Sequence, residues 1–468
     1  MQLKDLINFK ATRFIFDVLS SKDKQARFVG GCVRNSLLEQ QVKDIDIGTT
    51  LLPDEIEELF VQYPNVKVID IGKEYGTVML AVDHHTYEIT TLRKDVHTDG
   101  RYAIVEYTND WEEDAARRDF TINGMSYSPK EDKLYDYFNG QEDLKAGLIK
   151  FIGDPHKRVE EDYLRILRLF RFYTYYGKLI DPASLAACKT YAKNMDRLSK
   201  ERKMSELYRI LAHDNYMEAL ELMDGNGILE HISSLPDWKA GMKLCNELEN
   251  LCSNYGHAFT LPLKIFALFH RAGLTPSAIE KEFITLSKAE KKYLTALAKF
   301  VSSANLNEVI TKPHYFVYHH REVLLDGFLY LEVSLHDSPP SSSSRMRGSR
   351  DTDSSQRSII LESPKHLDKA LTSSRDFLSL DPRIREEDES DKDFSLTQLR
   401  HSFNKTKKLL KHEQPIFPLT GSDLMSRFSL EPGKKLGQLL EFAKNSWIES
   451  KFTADKESLL AQLDQQLK

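Results

Sequence analysis

Between Phe28 and Thr49 the chain reads Phe-Val-Gly-Gly-Cys-Val-Arg-Asn, a spacer with helical character, and then Lys-Asp-Ile-Asp-Ile-Gly-Thr. No other stretch restricts the local path so tightly. An apolar strand must run into Gly30-Gly31, turn into a short helix carrying Arg34, and return as a second strand on which Asp44 and Asp46 are two residues apart. Side chains on a strand alternate with period 2, so both carboxylates face the same way. Hard divalent cations take oxygen ligands, and the bare backbone N–H groups of glycines at a helix start can approach phosphates. The pattern therefore suits a divalent metal together with a nucleoside triphosphate. A lone Asp-x-Asp is most often a turn or a solvated strand edge, and a lone Gly-Gly just a turn. Their succession as strand, turn, helix and strand, with an arginine between, favours the chemical reading.

Around this stretch the periodicities predict a small mixed sheet. Residues 3–20 read as one amphipathic helix, with Leu3, Leu6, Ile7, Phe14, Ile15, Val18 and Leu19 at helical intervals, packed on the sheet. Pro53-Asp54 opens a second helix whose apolar face is Ile56, Leu59 and Phe60. Strands are expected over 76–82 and 86–92, joined by a turn at Asp83-His84-His85. Tyr87 and Ile89 share one face there and Glu88 and Thr90 the other, so Glu88 is either a third metal ligand or a solvated strand residue. Residues 93–111 show no sustained period and read as a long polar loop around Asp99-Gly100. The cluster Arg117-Arg118-Asp119 suits the grip of a triphosphate or ribose, or else a surface salt-bridge set.

Composition bounds the possibilities. A chain of 468 residues that is 41% hydrophobic holds two to four domains with real cores. There is no run of about eighteen apolar residues, and the N-terminus lacks a signal or Arg-rich presequence, so no membrane contact is expected. Cys32, Cys188, Cys245 and Cys252 are scattered without CxxC pairing, as in reduced thiols of a cytosol-like compartment. With 65 Lys+Arg against 71 Asp+Glu the net charge is −6, which argues against a generic polyanion binder. Any nucleic-acid contact must then be local, and Lys157 to Arg209, with thirteen basic residues against seven acidic, is the candidate.

The motifs in order resemble those of the tRNA nucleotidyltransferases, the CCA-adding enzymes, of the bacterial–eukaryotic class. The resemblance rests on Gly30-Gly31-Cys-Val-Arg34, Asp44-Ile-Asp46, Tyr87-Glu88-Ile-Thr-Thr-Leu-Arg93 and Asp99-Gly100-Arg101. It continues through Arg117-Arg118-Asp119-Phe-Thr-Ile-Asn123, Gly153-Asp154-Pro155 and Glu161-Asp162-Tyr-Leu-Arg165-Ile-Leu-Arg168-Leu-Phe-Arg171. These cover roughly the first 215 residues densely, and Pro418-Leu-Thr-Gly421-Ser-Asp423 extends the match toward the C-terminus. Where the family usually has Asp after the arginine of the glycine motif, this chain has Asn35.

The resemblance implies an α+β fold: a small mixed-sheet nucleotidyltransferase head (1–152), then an all-α neck (153–212), body (213–335) and tRNA-binding tail (394–468). Residues 336–393, rich in Ser, Pro and charge, read as a disordered insert. It further implies template-independent addition of C-C-A to tRNA from CTP and ATP, with Mg²⁺ at Asp44, Asp46 and Glu88. Nucleotide contacts would come from Gly30, Gly31, Arg34, Arg118, Asp119, Asp162, Arg165, Arg168 and Arg171. Residues 155–175 read as one long helix with Asp162, Arg165 and Arg168 at i, i+3, i+6. On it, a carboxylate beside a guanidinium would match the amino donor and ring-nitrogen acceptor shared by C and A, and oppose the reversed pattern of U and G. Expectations on assembly and place are a monomer or homodimer, cytoplasmic, with mitochondrial and nuclear pools. A poly(A) polymerase of the same superfamily is the first alternative, and a catalytically weakened RNA-binding protein, supported by Asn35, the second.

Overall fold

The computed structural model describes residues 3–21, 24–42, 44–83, 85–98, 103–233, 237–270, 281, 286–336 and 396–467. They form two compact units, Met1–Pro236 with Glu282–Thr285, and Asp237–Lys281 with Leu286–Lys468.

The first unit is built on a seven-stranded sheet of order β3-β4-β5-β2-β1-β8-β9. Its strands are β1 (Ala26–Val29), β2 (Ile45–Thr49), β3 (Lys67–Gly72), β4 (Thr77–Val82), β5 (His85–Thr91), β8 (Ser126–Ser128) and β9 (Lys133–Tyr135). The sheet is mixed, as expected: β2 runs parallel to β5 and antiparallel to β1. β1 is buried throughout, Arg27 included, whose guanidinium lies 4.1 Å from the Trp111 ring centroid. Helix α2 (Lys10–Leu19) lays Ala11, Ile15, Phe16 and Leu19 on the sheet, with the Phe16 ring 4.6 Å from Phe28. Thr12 Oγ1 meets the buried Tyr87 hydroxyl at 3.0 Å, tying α2 to β5.

Three local expectations are corrected. The helix over 3–20 is two pieces, α1 (Leu3–Leu6) and α2, because Asn8 and Phe9 close α1 in turn bonds to Asp5 and Leu6 carbonyls and Phe9 is extended. Most of the segment 93–111 is no loop: β6 (Arg93–Thr98) and β7 (Ala103–Tyr107) pair antiparallel as a two-stranded ribbon. Cross-strand backbone pairing does not require an apolar periodicity, so the polar sequence concealed it. Asp99, Gly100 and Arg101 lie outside the described residues. The helix over 155–175 is also two, α7 (Pro155–Glu161) and α8 (Leu164–Tyr176). Asp162 is extended between them, its Oδ1 accepting from Leu164 N at 3.0 Å, a short carboxylate competing for a backbone donor.

Helices α9 (Pro182–Tyr191), α10 (Lys200–Leu211) and α11 (Tyr216–Gly225) complete the first unit's helical part. The second unit is helical over its described residues, with Trp238–Asn254, Leu261–His270, Lys288–Ser303 and Leu324–His336 among its longer helices. Toward the C-terminus Leu424, Leu439, Trp447, Ile448, Leu459 and Leu463 form a separate apolar core. The expected insert, 336–393, lies almost wholly outside the described residues. All four cysteines are buried thiols that form no disulfide. No helix among the described residues is long and apolar enough to cross a membrane.

Candidate active site

The glycine turn is where the site is assembled. Gly30 takes φ +66°, a left-handed conformation, and a Cβ built on it would lie 2.7 Å from Arg118 Nη1. A Cβ on Gly31 would lie 3.6 Å from Arg34 Nη2, and both would come to 4.0 Å from Asp46 Oδ2. Bare backbone is thus what lets one strand end touch a carboxylate and two guanidinium groups at once. The short helix α3 (Gly31–Leu37) then carries Arg34 inward.

On the adjoining strands Asp46 and Glu88 are direct partners in the parallel register of β2 and β5. Asp44 sits in the bend before β2, exposed, two residues away. Burial pushes the Asp46 carboxyl up to about 6, and the neighbouring Glu88 and Asp44 charges add to it, against Arg118. A carboxyl pushed up by burial and by neighbouring carboxylates belongs to a donor set that a cation would relieve. Among the described residues no three His, Cys, Asp or Glu side chains are gathered closely enough to hold an ion on their own. Mg²⁺ does not require this, since it is usually held by one or two carboxylates with waters and substrate phosphates. The Asp46 and Glu88 pair with Asp44 beside it fits such an ion.

Facing the carboxylates is an arginine-lined cleft of about 540 Å³. It brings together Gly30, Gly31, Arg34, Arg118, Asp119, Asp162, Arg165 and Arg168, eight of the nine residues expected to contact nucleotide. The ninth, Arg171, opens instead into an adjoining pocket. Arg117, Asn123, Phe172 and Arg202 also line the cleft. Of these Arg202 had no signal in the sequence, lying on another helix forty residues from the acid it binds.

Each arginine is fixed by a nameable contact. Helix α5 (Trp111–Ala116) buries Asp114, which accepts from Arg117 Nε at 2.9 Å and Arg118 Nη2 at 3.1 Å. Burial alone would raise the Asp114 carboxyl, but the two guanidinium groups hold it low. Arg158 of α7 donates to the carbonyls of Arg117 and Arg118 at 2.6 and 2.7 Å, stapling α7 to the end of α5. Among the described residues the acceptors of Arg34 are neutral: Asn123 Oδ1, Tyr176 Oη at 2.7 Å, and Asn35 Oδ1 at 3.0–3.1 Å. The departure at Asn35 therefore leaves this buried guanidinium with hydrogen bonds and no carboxylate ion pair among the described residues.

Asp119 joins the two halves of the cleft. Its buried carboxylate accepts from Arg168 Nε at 2.9 Å, Asn123 Nδ2 at 2.9 Å and Phe120 N at 3.0 Å. Burial would raise its pKa, yet Arg168 and these donors outweigh burial and hold it down at about 2. A depressed folded-state pKa stabilises above the unfolded value near 4 and loses that stabilisation as pH falls toward 2. Asp119→Asn should accordingly unfold at lower urea at pH 7, by about 2 kcal/mol, and the gap to wild type should narrow below about pH 4. A gap that stayed constant from pH 7 to pH 3 would contradict the assignment.

The expected flat pair of Asp162 beside Arg165 is not what the structure holds. Asp162 Oδ2 accepts from Arg202 Nη2 at 2.8 Å, whereas Arg165 Nη1 donates to Glu161 and to the Arg158 carbonyl at 2.7 Å. The break between α7 and α8 removes the one-turn spacing of 162 and 165 on a single helix. Both heads still line the cleft, on different supports.

Residues 26–150 match the family model described as the poly A polymerase head domain, and 179–242 the one described as the probable RNA and SrmB-binding site of polymerase A. The CCA tRNA nucleotidyltransferase 1, mitochondrial, of Danio rerio is 28% identical over 456 residues, 96% of this chain and 89% of that protein. The CCA-adding enzyme of Bacillus subtilis is 30% identical over 317 residues, 63% of this chain and 78% of that protein. The crystal structure of the Bacillus stearothermophilus CCA-adding enzyme in complex with CTP superposes with a TM-score of 0.61 at 20% identity, covering 97% of this chain and 96% of that one.

Proposed function

The chain belongs to the CCA-adding tRNA nucleotidyltransferases, and from that premise we propose that it builds or repairs the 3′-terminal C-C-A of tRNA from CTP and ATP. The observation that carries the reading is the convergence at Gly30: Asp46 and Arg118 meet at the same bare backbone turn, so the metal-binding edge and the phosphate-binding cleft are continuous. An incoming nucleotide with its triphosphate against Arg118, Arg34 and the glycine backbone would present its α-phosphorus toward Asp46 and Glu88.

Mg²⁺ would be held by Asp46 and Glu88 with Asp44 beside them. Bound there, two such ions would activate the 3′-hydroxyl of the RNA and neutralise the leaving pyrophosphate. The chain's own residues do the positioning. Asp119 fixes Arg168, Asp114 fixes Arg117 and Arg118, and Arg158 locks α7 to both, so the guanidinium groups are set before substrate arrives. Base choice falls to Asp162 and Arg165. Arg202 and Leu164 N each occupy one oxygen of Asp162, leaving lone pairs for an amino group, and Arg165 uses Nη1 on Glu161 and Arg158, leaving its other N–H edge for a ring nitrogen.

The deciding experiment incubates purified protein with a tRNA ending at the discriminator base plus Mg²⁺ and CTP, ATP or both, and sequences the 3′ ends. The expected product is C-C-A with both nucleotides and C-C with CTP alone. Long A tracts would show a poly(A) polymerase instead, and binding without extension would overturn enzymatic addition altogether.

A further inference from the structure

Beyond the cleft, on the other side of Arg34 and Phe172, lies a second pocket of about 280 Å³ lined by Arg34, Arg171, Phe172, Tyr175, Tyr176 and Arg209. We propose that this pocket receives one unpaired nucleotide of the RNA strand, its base on the aromatic side chains and its phosphate on Arg171 and Arg209. The inference rests on the RNA substrate proposed above and adds a site that the nucleotide cleft does not include.

Charge comes first. The pocket gathers three guanidinium groups, and among the described residues Glu206 pairs with two of them, Arg171 at 3.2 Å and Arg209 at 3.5 Å. Arg34 is satisfied by neutral oxygens, so the pocket keeps an excess of positive charge that an anion would complete. The aromatic component is equally specific. Tyr175 is 41% exposed, so its ring is accessible to a ligand, and it is propped by His213 at 4.6 Å and Tyr176 at 6.0 Å. Cations beside accessible aromatic rings are what sequence-tolerant single-strand sites use, with bases stacked on rings and the backbone tracked by arginine. Neither a free inorganic anion nor a purely apolar ligand uses both halves.

Arg34 lines both spaces. Its guanidinium lies 4.0 Å from the Tyr176 ring centroid and its Nη2 faces the Gly31 turn, so one side chain borders the incoming nucleotide and the strand nucleotide together. A single rigid cation between two phosphate-bearing units would register the RNA strand against the nucleotide to be added.

Tyr175→Ala and Arg209→Ala, made separately in the full chain, test this by two readouts. The affinity for a fluorescent tri-cytidylate, measured by anisotropy without turnover, should fall roughly ten-fold in each variant, the scale of losing one stacked base or one phosphate contact. For Arg209→Ala the slope of log affinity against log salt should also become shallower by about 0.7. Tyr175→Phe should retain affinity, since the ring is kept. In extension assays the KM for tRNA should rise and the KM for CTP stay unchanged. A rise in the KM for CTP with oligonucleotide affinity intact would assign the pocket to free nucleotide, and no change in either would make it structural; both results overturn the inference. A wild-type protein that binds tri-cytidylate through Tyr175 and Arg209 yet extends no tRNA would sink the functional reading alone.

Discussion

Asp46→Ala should lower the addition of C and of A together by about a thousandfold or more, roughly 4 kcal/mol of transition-state stabilisation, while tRNA affinity changes little. Asp46 stands in the pairing register with Glu88 and near Arg118 at the glycine turn, so on the proposed reading its loss would remove a metal ligand at the point where phosphate would be held. The fold should not suffer. Burial, Glu88 and Asp44 raise its folded-state pKa to about 6, above the unfolded value, so the ionised form opposes folding at neutral pH in metal-free protein. Alanine removes that opposition, and the melting temperature in the presence of chelator should stay level or rise. Single-turnover extension with each nucleotide and a thermal melt read the two effects. Retention of more than about a tenth of the rate, a loss of only ~1.4 kcal/mol, would be too small for a catalytic metal ligand.

Arg165→Ala should act on choice rather than on rate alone. The side chain lines the cleft with Asp162, and on the proposed reading its free N–H edge would be the donor that a ring nitrogen of C or A accepts and that the N–H of U or G opposes. Discrimination in competition among CTP, ATP, UTP and GTP should fall by roughly 1–3 kcal/mol, with misincorporated U and G appearing in sequenced 3′ ends. Arg202→Ala is the informative companion. It releases Asp162 from its 2.8 Å ion pair, so it should blur the same choice through the acceptor half of the pattern. Asp46→Ala provides the contrast, slowing every nucleotide without altering their ratios. One common factor of slowing for all four nucleotides in Arg165→Ala would make that arginine a phosphate or structural contact.

Much of this was determined by the sequence itself, because the information was local. Strand alternation sufficed to put Asp46 and Glu88 on usable faces, and the order strand, Gly-Gly, helix, strand is what the structure shows around Gly30. The 3.6-residue period after Pro53 marked the helix Pro53–Phe60, whose Ile56 and Phe60 are buried, since packing one apolar stripe needs no knowledge of the partner. The family motifs named eight residues that one cleft gathers.

What tertiary structure alone decided depends on partners distant in the chain. A strand register made Glu88 the neighbour of Asp46 across 42 residues, and no periodicity encodes which strand lies beside which. The break at Asp162 was invisible because an Asp fits a helix face as well as a turn, and the Asx-type bond to Leu164 N decides between them. Its ion pair then went to Arg202 on α10 rather than to Arg165 three residues on, and Arg171, in phase with Arg168, turned to Glu206 and out of the cleft. Sequence spacing fixes which side chains could share a helix face. Which carboxylate each guanidinium takes is settled by the packing that brings other helices alongside, because a buried charge goes to the partner that compensates its lost hydration.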